Sequence, residues 1–356
     1  AAVPSEADTN ELTPSGKRDT TRYRVRCRCG QRMRVYRRHF GRLHRCIRCK
    51  SPLYVSQDSV SPPLSSKHVK QLRVFEDDNV PAQWETGDLI TEDFEVIARV
   101  GEGGMGVVYR VLHRGWGTEM AVKCPKVEVD RGDGWLESFD QECQTWIRMA
   151  HHPNTVRCFF VRRLGQVPRI FAEFIDGRDL YQQILTGDLY LGKDEEKLAR
   201  MLDILIQSAR GLHHAHTEQL IHQDFKPSNI LVGNDGITRV TDFGLSCLAS
   251  SVRPLASDRH GIVAGTPLYQ SGYLAKLGFN SFKSDMWSWG LCAMAVFAGE
   301  AYWQYGEYAP AILRGFQDKT AERKDIPEMP PELYRLLWAC FQEDPGNRPA
   351  SMDAVA

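Results

Sequence analysis

The sequence predicts an α+β fold for its main domain, preceded by a small separate domain. Phe94–Val100 and Val107–Val111 alternate apolar and polar side chains as half-buried strands do, with a glycine-rich turn between them. Further on, one apolar stripe at helical spacing is formed by Leu198, Leu202, Leu205, Ala209 and Leu212. Ahead of both lies a basic block with two close pairs of cysteines.

Composition and charge indicate a soluble globular protein with two different surfaces. Of the 356 residues, 42% are hydrophobic and 25% are charged, and the formal net charge is zero. The charge is uneven, because fourteen Lys or Arg residues and a single acid, Asp19, lie between Lys17 and Lys50. This asymmetry favours two units, for which the chain is long enough.

Changes in composition set the predicted domain boundaries, and Ser61-Pro62-Pro63 is typical of a linker. The predicted units are a disordered segment at 1–20, the basic cysteine module at 21–55, a linker at 56–90, and a main domain at 91–356. The sequence leaves open whether the native chain continues past Ala356, for example into a membrane segment.

No segment of the sequence is typical of a membrane span or a secretory signal. The most apolar stretch, Trp287–Ala298, is too short to cross a bilayer and predicts a buried core helix. Ala1–Gly16 is polar, unlike a signal peptide. The cysteines outside the basic block lie in apolar surroundings, as reduced thiols do, so a cytoplasmic location is expected.

The paired cysteines predict a structural Zn²⁺ site in a fold like a zinc ribbon. Cys27 and Cys29 are separated by one residue, Cys46 and Cys49 by two, and sixteen residues lie between the pairs. Four thiolates on two turns can close tetrahedrally around the metal, and so short a segment buries too little apolar surface to fold without it. A disulfide is the alternative.

The arginines of this module suggest an acidic partner or a solvated basic face. Nucleic acid is the alternative, because basic ribbons commonly contact phosphates. Aromatic residues are sparse in the module, however, and no base-reading motif is evident.

The glycine-rich turn is suited to phosphate binding. It runs Gly101-Glu102-Gly103-Gly104-Met105-Gly106 and continues into Val107-Val108. Glycines let the backbone approach a phosphate chain and present N–H groups to it. A dinucleotide-binding fold would need a helix after the glycines, whereas the two valines favour a strand.

Three downstream motifs follow this turn in a fixed order: Ala121-Val122-Lys123, then His222-Gln223-Asp224-Phe225-Lys226-Pro227-Ser228-Asn229, then Asp242-Phe243-Gly244. The ordered set resembles the eukaryotic-type (Hanks-type) protein kinase family, in particular its bacterial Ser/Thr branch, over roughly 91–356. The resemblance implies the two-lobed protein-kinase fold, with a small lobe rich in strands at 91–175 and a mostly helical large lobe at 176–356. It also implies protein substrates with Ser or Thr acceptors, and transfer of the ATP γ-phosphoryl with Mg²⁺ or Mn²⁺.

By this resemblance, charged side chains handle the phosphates and the metal. Lys123 would hold the α- and β-phosphates, and Glu142 would pair with Lys123. Asn229 and Asp242 offer the oxygen ligands that Mg²⁺ prefers. Catalysis of phosphoryl transfer is mostly positioning and electrostatic stabilisation, which these charges would supply.

The substrate hydroxyl and the rest of the nucleotide are assigned in the same way. Asp224 would orient or deprotonate the hydroxyl, and Lys226 would neutralise charge near the γ-phosphate. Glu173–Gly177 resembles the hinge that hydrogen-bonds adenine. The resemblance assigns to the nucleotide Gly101, Glu102, Gly103, Gly104, Met105, Gly106, Val108, Ala121, Lys123, Glu173, Ile175 and Leu231.

Two departures from the family pattern leave open an alternative, a pseudokinase that binds nucleotide without efficient transfer, although the polar residues assigned to ATP and metal are all present. Gln223 replaces the arginine that binds a phosphorylated activation segment, so we expect activity without that phosphorylation. Tyr273 replaces a glutamate that pairs with the arginine matched here by Arg348. Arg348 therefore needs another acceptor, because a buried charge left alone is costly.

A third departure concerns the wall behind the adenine. Ala172 is unusually small for its place before the hinge, and Trp146 is unusually large for its place one helical turn beyond Glu142. We expect the indole to fill the space that the alanine leaves. An open back pocket is the alternative.

Overall fold

The computed structural model describes residues 22–26, 32–36, 42–46, 48, 52–55, 60–61, 74–103, 106–125, 146–147, 149–165, 167–243, 247–248, 266–271, 281–320, 323 and 325–356. The chain divides into two compact units, Ala1–Leu72 and Arg73–Ala356.

Short antiparallel strands make up the described part of the first unit. They are β1 (Arg22–Arg26), β2 (Arg32–Tyr36), β3 (Arg42–Arg45), β4 (Pro52–Val55) and β5 (Val60–Ser61). Strand β1 pairs with β2 and β5, and β3 pairs with β4. Val25, Val35 and Val55 are buried, so alternate residues of these strands form a small apolar core.

The predicted zinc ligands lie mostly outside the described residues. Cys27, Cys29 and Cys49 are not among these, and Cys46 is buried. In the part of the chain that the structure describes, no three potential ligands come together. The zinc site and the zinc-ribbon fold therefore stay predictions.

The small lobe of the second unit is a curled sheet. Its strands are β6 (Val74–Phe75), β7 (Leu89–Ile90), β8 (Phe94–Gly103), β9 (Gly106–His113), β10 (Thr118–Pro125), β11 (Cys158–Leu164) and β12 (Val167–Glu173). They lie in the order β11-β12-β10-β9-β8-β7-β6, and all neighbours are antiparallel except β6 and β7. The two strands predicted around the glycine-rich turn are confirmed as β8 and β9.

The structure differs from the linker predicted over 56–90. Strand β5 pairs with β1 in the first unit, and residues 74–90 join the sheet of the second. Val80 and Trp84 are buried in the core of that sheet. The polar composition hid this packing, because the apolar side chains of the segment are few and are spread among charged and polar ones. The other predicted domain boundaries stay predictions.

The large lobe is mostly helical. Its helices are α1 (Leu180–Thr186), α2 (Asp194–Thr217), α3 (Phe282–Ala298), α4 (Ala309–Arg314), α5 (Phe316–Thr320) and α6 (Pro331–Cys340). Short strands complete it, namely β13 (Gly177–Asp179), β14 (Leu220–Ile221), β15 (Ile230–Gly233), β16 (Thr238–Val240) and β17 (Cys247–Leu248).

Both helices predicted from the sequence are confirmed. In α2 the apolar stripe faces the core, with Leu205, Ala209 and Leu212 fully covered. Helix α3 is buried on all sides from Ser284 to Ala298, as expected of a central helix. Among the described residues, no helix is both long enough and apolar enough to cross a bilayer.

Candidate active site

A cavity of about 700 Å³ lies between the small-lobe sheet and the large lobe of the second unit. The residues lining it include several that the sequence predicts for nucleotide and metal: Gly101, Val108, Ala121, Lys123, Glu173, Ile175, Asn229, Leu231 and Asp242. These come from strands β8, β9, β10 and β12 above, and from the segment 229–242 below. Residues far apart in sequence therefore share one site.

The remaining predicted nucleotide contacts belong to the glycine-rich turn. Glu102 is exposed on β8, Gly103 ends that strand, and Gly106 begins β9. A Cβ at Gly106 would lie 2.2 Å from the backbone carbonyl oxygen of the facing strand β10, so only glycine fits there. Gly104, Met105 and Glu142 lie outside the described residues, and their roles stay predictions.

Lys123 and Asp242 form an ion pair at the inner end of the cavity. Burial by itself would raise the pKa of Asp242. The charge and hydrogen bond of Lys123, with smaller contributions from His222 and Lys226, outweigh burial and hold that pKa below its ordinary value. The carboxylate of Asp242 therefore stays ionised at neutral pH. Asp242 also has φ +64°, an uncommon value for a residue with a Cβ and one that often marks functional sites.

Asp224 is buried and held by hydrogen bonds on both oxygens. Its Oδ2 accepts from Lys226 Nζ at 2.6 Å. Its Oδ1 accepts from the backbone N (3.1 Å) and Oγ1 (3.0 Å) of Thr266. Lys226 Nζ also donates to Thr266 Oγ1 at 2.9 Å, and Asn229 Nδ2 donates to the Asp224 carbonyl at 2.8 Å. This closed set fixes the orientation of the carboxylate.

A buried carboxylate on α3, that of Asp285, supports the loop that carries Asp224. Its Oδ2 accepts from the backbone N of His222 and from His216 Nε2, each at 2.8 Å. Its Oδ1 accepts from the backbone N of Gln223 at 3.0 Å. Gln223 has φ +69°, so these bonds hold an uncommon backbone conformation beside Asp224.

Arg348 donates hydrogen bonds to backbone carbonyls, as expected in a chain where Tyr273 replaces the family's glutamate. Its Nε donates to the Gln342 carbonyl at 2.8 Å, and its Nη1 donates to the Lys283 carbonyl at 2.7 Å. The guanidinium also lies 4.8 Å from the ring centroid of Trp287. Tyr273 lies outside the described residues.

Trp146 and Ala172 both line the cavity and are both buried. The indole lies 5.8 Å from the ring of Phe243, and its Nε1 donates to the Val156 carbonyl at 3.0 Å. This hydrogen bond fixes the indole against the cavity wall. Whether it closes the space beside the alanine stays a prediction.

Sequence reasoning missed several lining residues. Arg178, Asp179 and Gln182 line the cavity at β13 and the start of α1, immediately after the predicted hinge. Their position next to the hinge is the signal that could have found them. Val156 and Ile170 also line it, but their apolar side chains do not differ in sequence from ordinary core residues.

The fold and this site define the class of protein. The family model described as "Protein kinase domain" matches residues 94–356. The chain therefore belongs to the protein kinase family, and the resemblance inferred from its motifs is confirmed.

Curated relatives agree with this assignment. The chain is 30% identical to the DNA damage-responsive serine/threonine-protein kinase RqkA of Deinococcus radiodurans, over 76% of this chain and 39% of the relative. It is 28% identical to a probable serine/threonine-protein kinase of Clostridium perfringens, over 74% of this chain and 37% of the relative. It is 26% identical to the serine/threonine-protein kinase PrkC of Bacillus subtilis, over 74% of this chain and 39% of the relative. The chain thus spans less than two fifths of the length of these relatives.

Proposed function

We propose that the chain is an ATP-dependent protein serine/threonine kinase that works with Mg²⁺. The observation that carries the proposal is the meeting of Lys123, Asn229 and Asp242 in one cavity, with Asp224 fixed beside Asn229. Family membership and the curated relatives support the same reaction.

The residues present suit a nucleotide and a hard cation. Asp242 is ionised, and the Nδ2 of Asn229 is engaged by the Asp224 carbonyl, which turns the amide oxygen of Asn229 toward other partners. These two oxygen donors would hold Mg²⁺, which neutralises phosphate charge when bound. Val108, Ala121 and Leu231 offer apolar surface for adenine in the same cavity.

The protein's own groups would act mainly by position and charge. Lys123 would bind the α- and β-phosphates, and Glu142 would keep it in place. Asp224 would accept a hydrogen bond from the Ser or Thr hydroxyl, since Lys226 and Thr266 already fix its carboxylate. Lys226 would supply positive charge beside the transferred phosphoryl.

Transfer of label from γ-³²P ATP to a mixture of protein acceptors tests the proposal. We expect label on Ser and Thr after acid hydrolysis, and at least a hundredfold loss in Asp242→Asn and Asp224→Asn. Asp235→Asn, at an exposed turn of the large lobe, is the control and should keep full activity. A wild-type protein that binds Mg·ATP yet labels no acceptor would be the pseudokinase instead.

We also propose that Cys27, Cys29, Cys46 and Cys49 bind a structural Zn²⁺. The spacing of the pairs and the burial of Cys46 in its unit support this. Metal analysis of the purified full chain should give about one zinc per chain. Cys46→Ser should lower that content, whereas Cys340→Ser, a buried cysteine of the second unit, should not. Metal-free wild-type protein that is folded would contradict it.

A further inference from the structure

Residues 74–90, here called the back strap, join the two edges of the curled small-lobe sheet. Strand β6 forms one edge through its pairing with β7. Asp77 then reaches the opposite edge, where its two carboxylate oxygens each accept from Arg162 Nη2 on β11 at 2.9 Å. The Asp77 carbonyl accepts from the backbone N of Gly165 at 2.6 Å. A Cβ at Gly165 would lie 2.3 Å from the Val80 carbonyl oxygen, so the strap needs glycine there.

Further along, the strap packs on the sheet through its buried residue Trp84, which contacts a buried arginine of β12. The backbone N of Trp84 donates to the hydroxyl of Tyr109 on β9 at 3.0 Å. The guanidinium of Arg169, on β12, lies 4.6 Å from the ring centroid of Trp84. Arg169 Nη2 donates to the Pro81 carbonyl at 2.8 Å, and Nη1 donates to Cys124 Sγ on β10 at 3.1 Å.

These contacts lie directly behind Lys123. Successive side chains of a strand point to opposite faces, so Cys124 faces the strap while Lys123 faces the cavity. Lys123 is also paired across the sheet with Ile170, the neighbour of Arg169. The strap therefore packs on the two strands that hold this lysine in place.

Arg169 depends on the strap for its surroundings. Its side chain is completely buried, and within the described ranges no carboxylate pairs with it. Burial raises the pKa of the Cys124 thiol to about 11, so this partner is neutral as well. The ring of Trp84 and the Pro81 carbonyl are thus the strap groups that stabilise the buried cation.

We propose that the back strap is part of the catalytic unit, and that Trp84 and Arg169 are positioning residues that hold β10 so that Lys123 points into the cavity. The proposal extends the unit beyond the family match, which begins at residue 94. It rests on the proposed function in assigning Lys123 to the nucleotide phosphates.

The test uses full-length variants at a temperature at which circular dichroism shows each to be folded. Trp84→Ala removes the ring, Trp84→Phe keeps an aromatic face, and Arg169→Met removes the charge at similar volume. Trp116→Ala is the matched control, because Trp116 is 64% exposed and stacks on His113 at the turn between β9 and β10. The readouts are the dissociation constant for Mg·AMPPNP by calorimetry, kcat, and hydrogen exchange of the β10 amides.

We expect Trp84→Ala and Arg169→Met either to weaken nucleotide binding or to lower kcat, in each case at least fivefold. Both variants should also speed hydrogen exchange of the β10 amides. Trp84→Phe should stay within about twofold of wild type, and Trp116→Ala should match it. A lower unfolding temperature with unchanged binding, kcat and exchange would overturn the proposal, because the strap would then be only structural. Should Trp84→Ala not fold, Arg169→Met decides by the same readouts. A wild type that binds the nucleotide without transferring phosphoryl contradicts the proposed function and leaves this binding test intact.

Discussion

The substitution Asp285→Asn tests how the large lobe holds the catalytic loop. The carboxylate is 1% exposed and accepts from two backbone N–H groups and one imidazole N–H, at 2.8–3.0 Å. Asparagine has one acceptor oxygen, so its NH₂ group must face at least one of these donors. That leaves a buried N–H unsatisfied, which costs about 1–3 kcal/mol, and turns the remaining charge-assisted bonds into weaker neutral ones. We expect a total loss of about 2–4 kcal/mol.

The effect should reach the reaction as well as the stability. Asp285 holds the backbone of His222 and Gln223, which immediately precede Asp224. A small displacement of a catalytic group can lower the rate about a hundredfold, so we expect kcat to fall tenfold to a hundredfold, with the KM for ATP within about threefold. Urea unfolding and steady-state kinetics measure both quantities. Asp318→Asn, at an exposed position on α5, is the control. A loss of stability below about 0.5 kcal/mol with unchanged kcat would refute the reasoning.

Three further predictions follow from the site. Because the pKa of Asp242 is low in the folded protein, its ion pair with Lys123 stabilises the fold at pH values above the ordinary carboxyl pKa, and this contribution is lost as pH falls through the lower folded pKa. Urea unfolding should therefore show a difference in stability between wild type and Asp242→Asn that closes below about pH 3.8. A difference that does not depend on pH would contradict this. Trp146→Ala should let an adenine-site inhibitor with a bulky back group bind at least tenfold tighter by removing the indole beside Ala172, whereas equal affinity for the wild type would indicate an open pocket. The variant with alanine at Ser246, Ser250, Ser251 and Ser257 has no such acceptors for phosphate in the activation segment, and it should keep at least half the wild-type rate of phosphotransfer. A collapse of that rate would refute this prediction.

Much of the candidate site was predictable because its polar and charged residues stand at motif spacing. Lys123, Asn229 and Asp242 were assigned from sequence, and the structure brings all three to one cavity. Glu142 and three of the four zinc ligands lie outside the described residues, so their roles stay predictions. The part that sequence reasoning misread was 74–90, where polar composition concealed the buried apolar side chains of Val80, Trp84, Leu89 and Ile90.

The sequence by itself determined the class of fold and the chemistry of the cavity. Alternation and helical spacing are local, and a lysine, an asparagine and an aspartate in a known order keep their chemistry wherever the chain places them. The tertiary structure alone decided which groups support them. Arg169 meets Pro81 across 88 residues of chain, and Arg348 meets the carbonyl of Lys283 across 65. Each of these two buried arginines contacts a backbone carbonyl and an indole ring, and such partners leave no signal in a sequence pattern because only the fold brings them to the guanidinium.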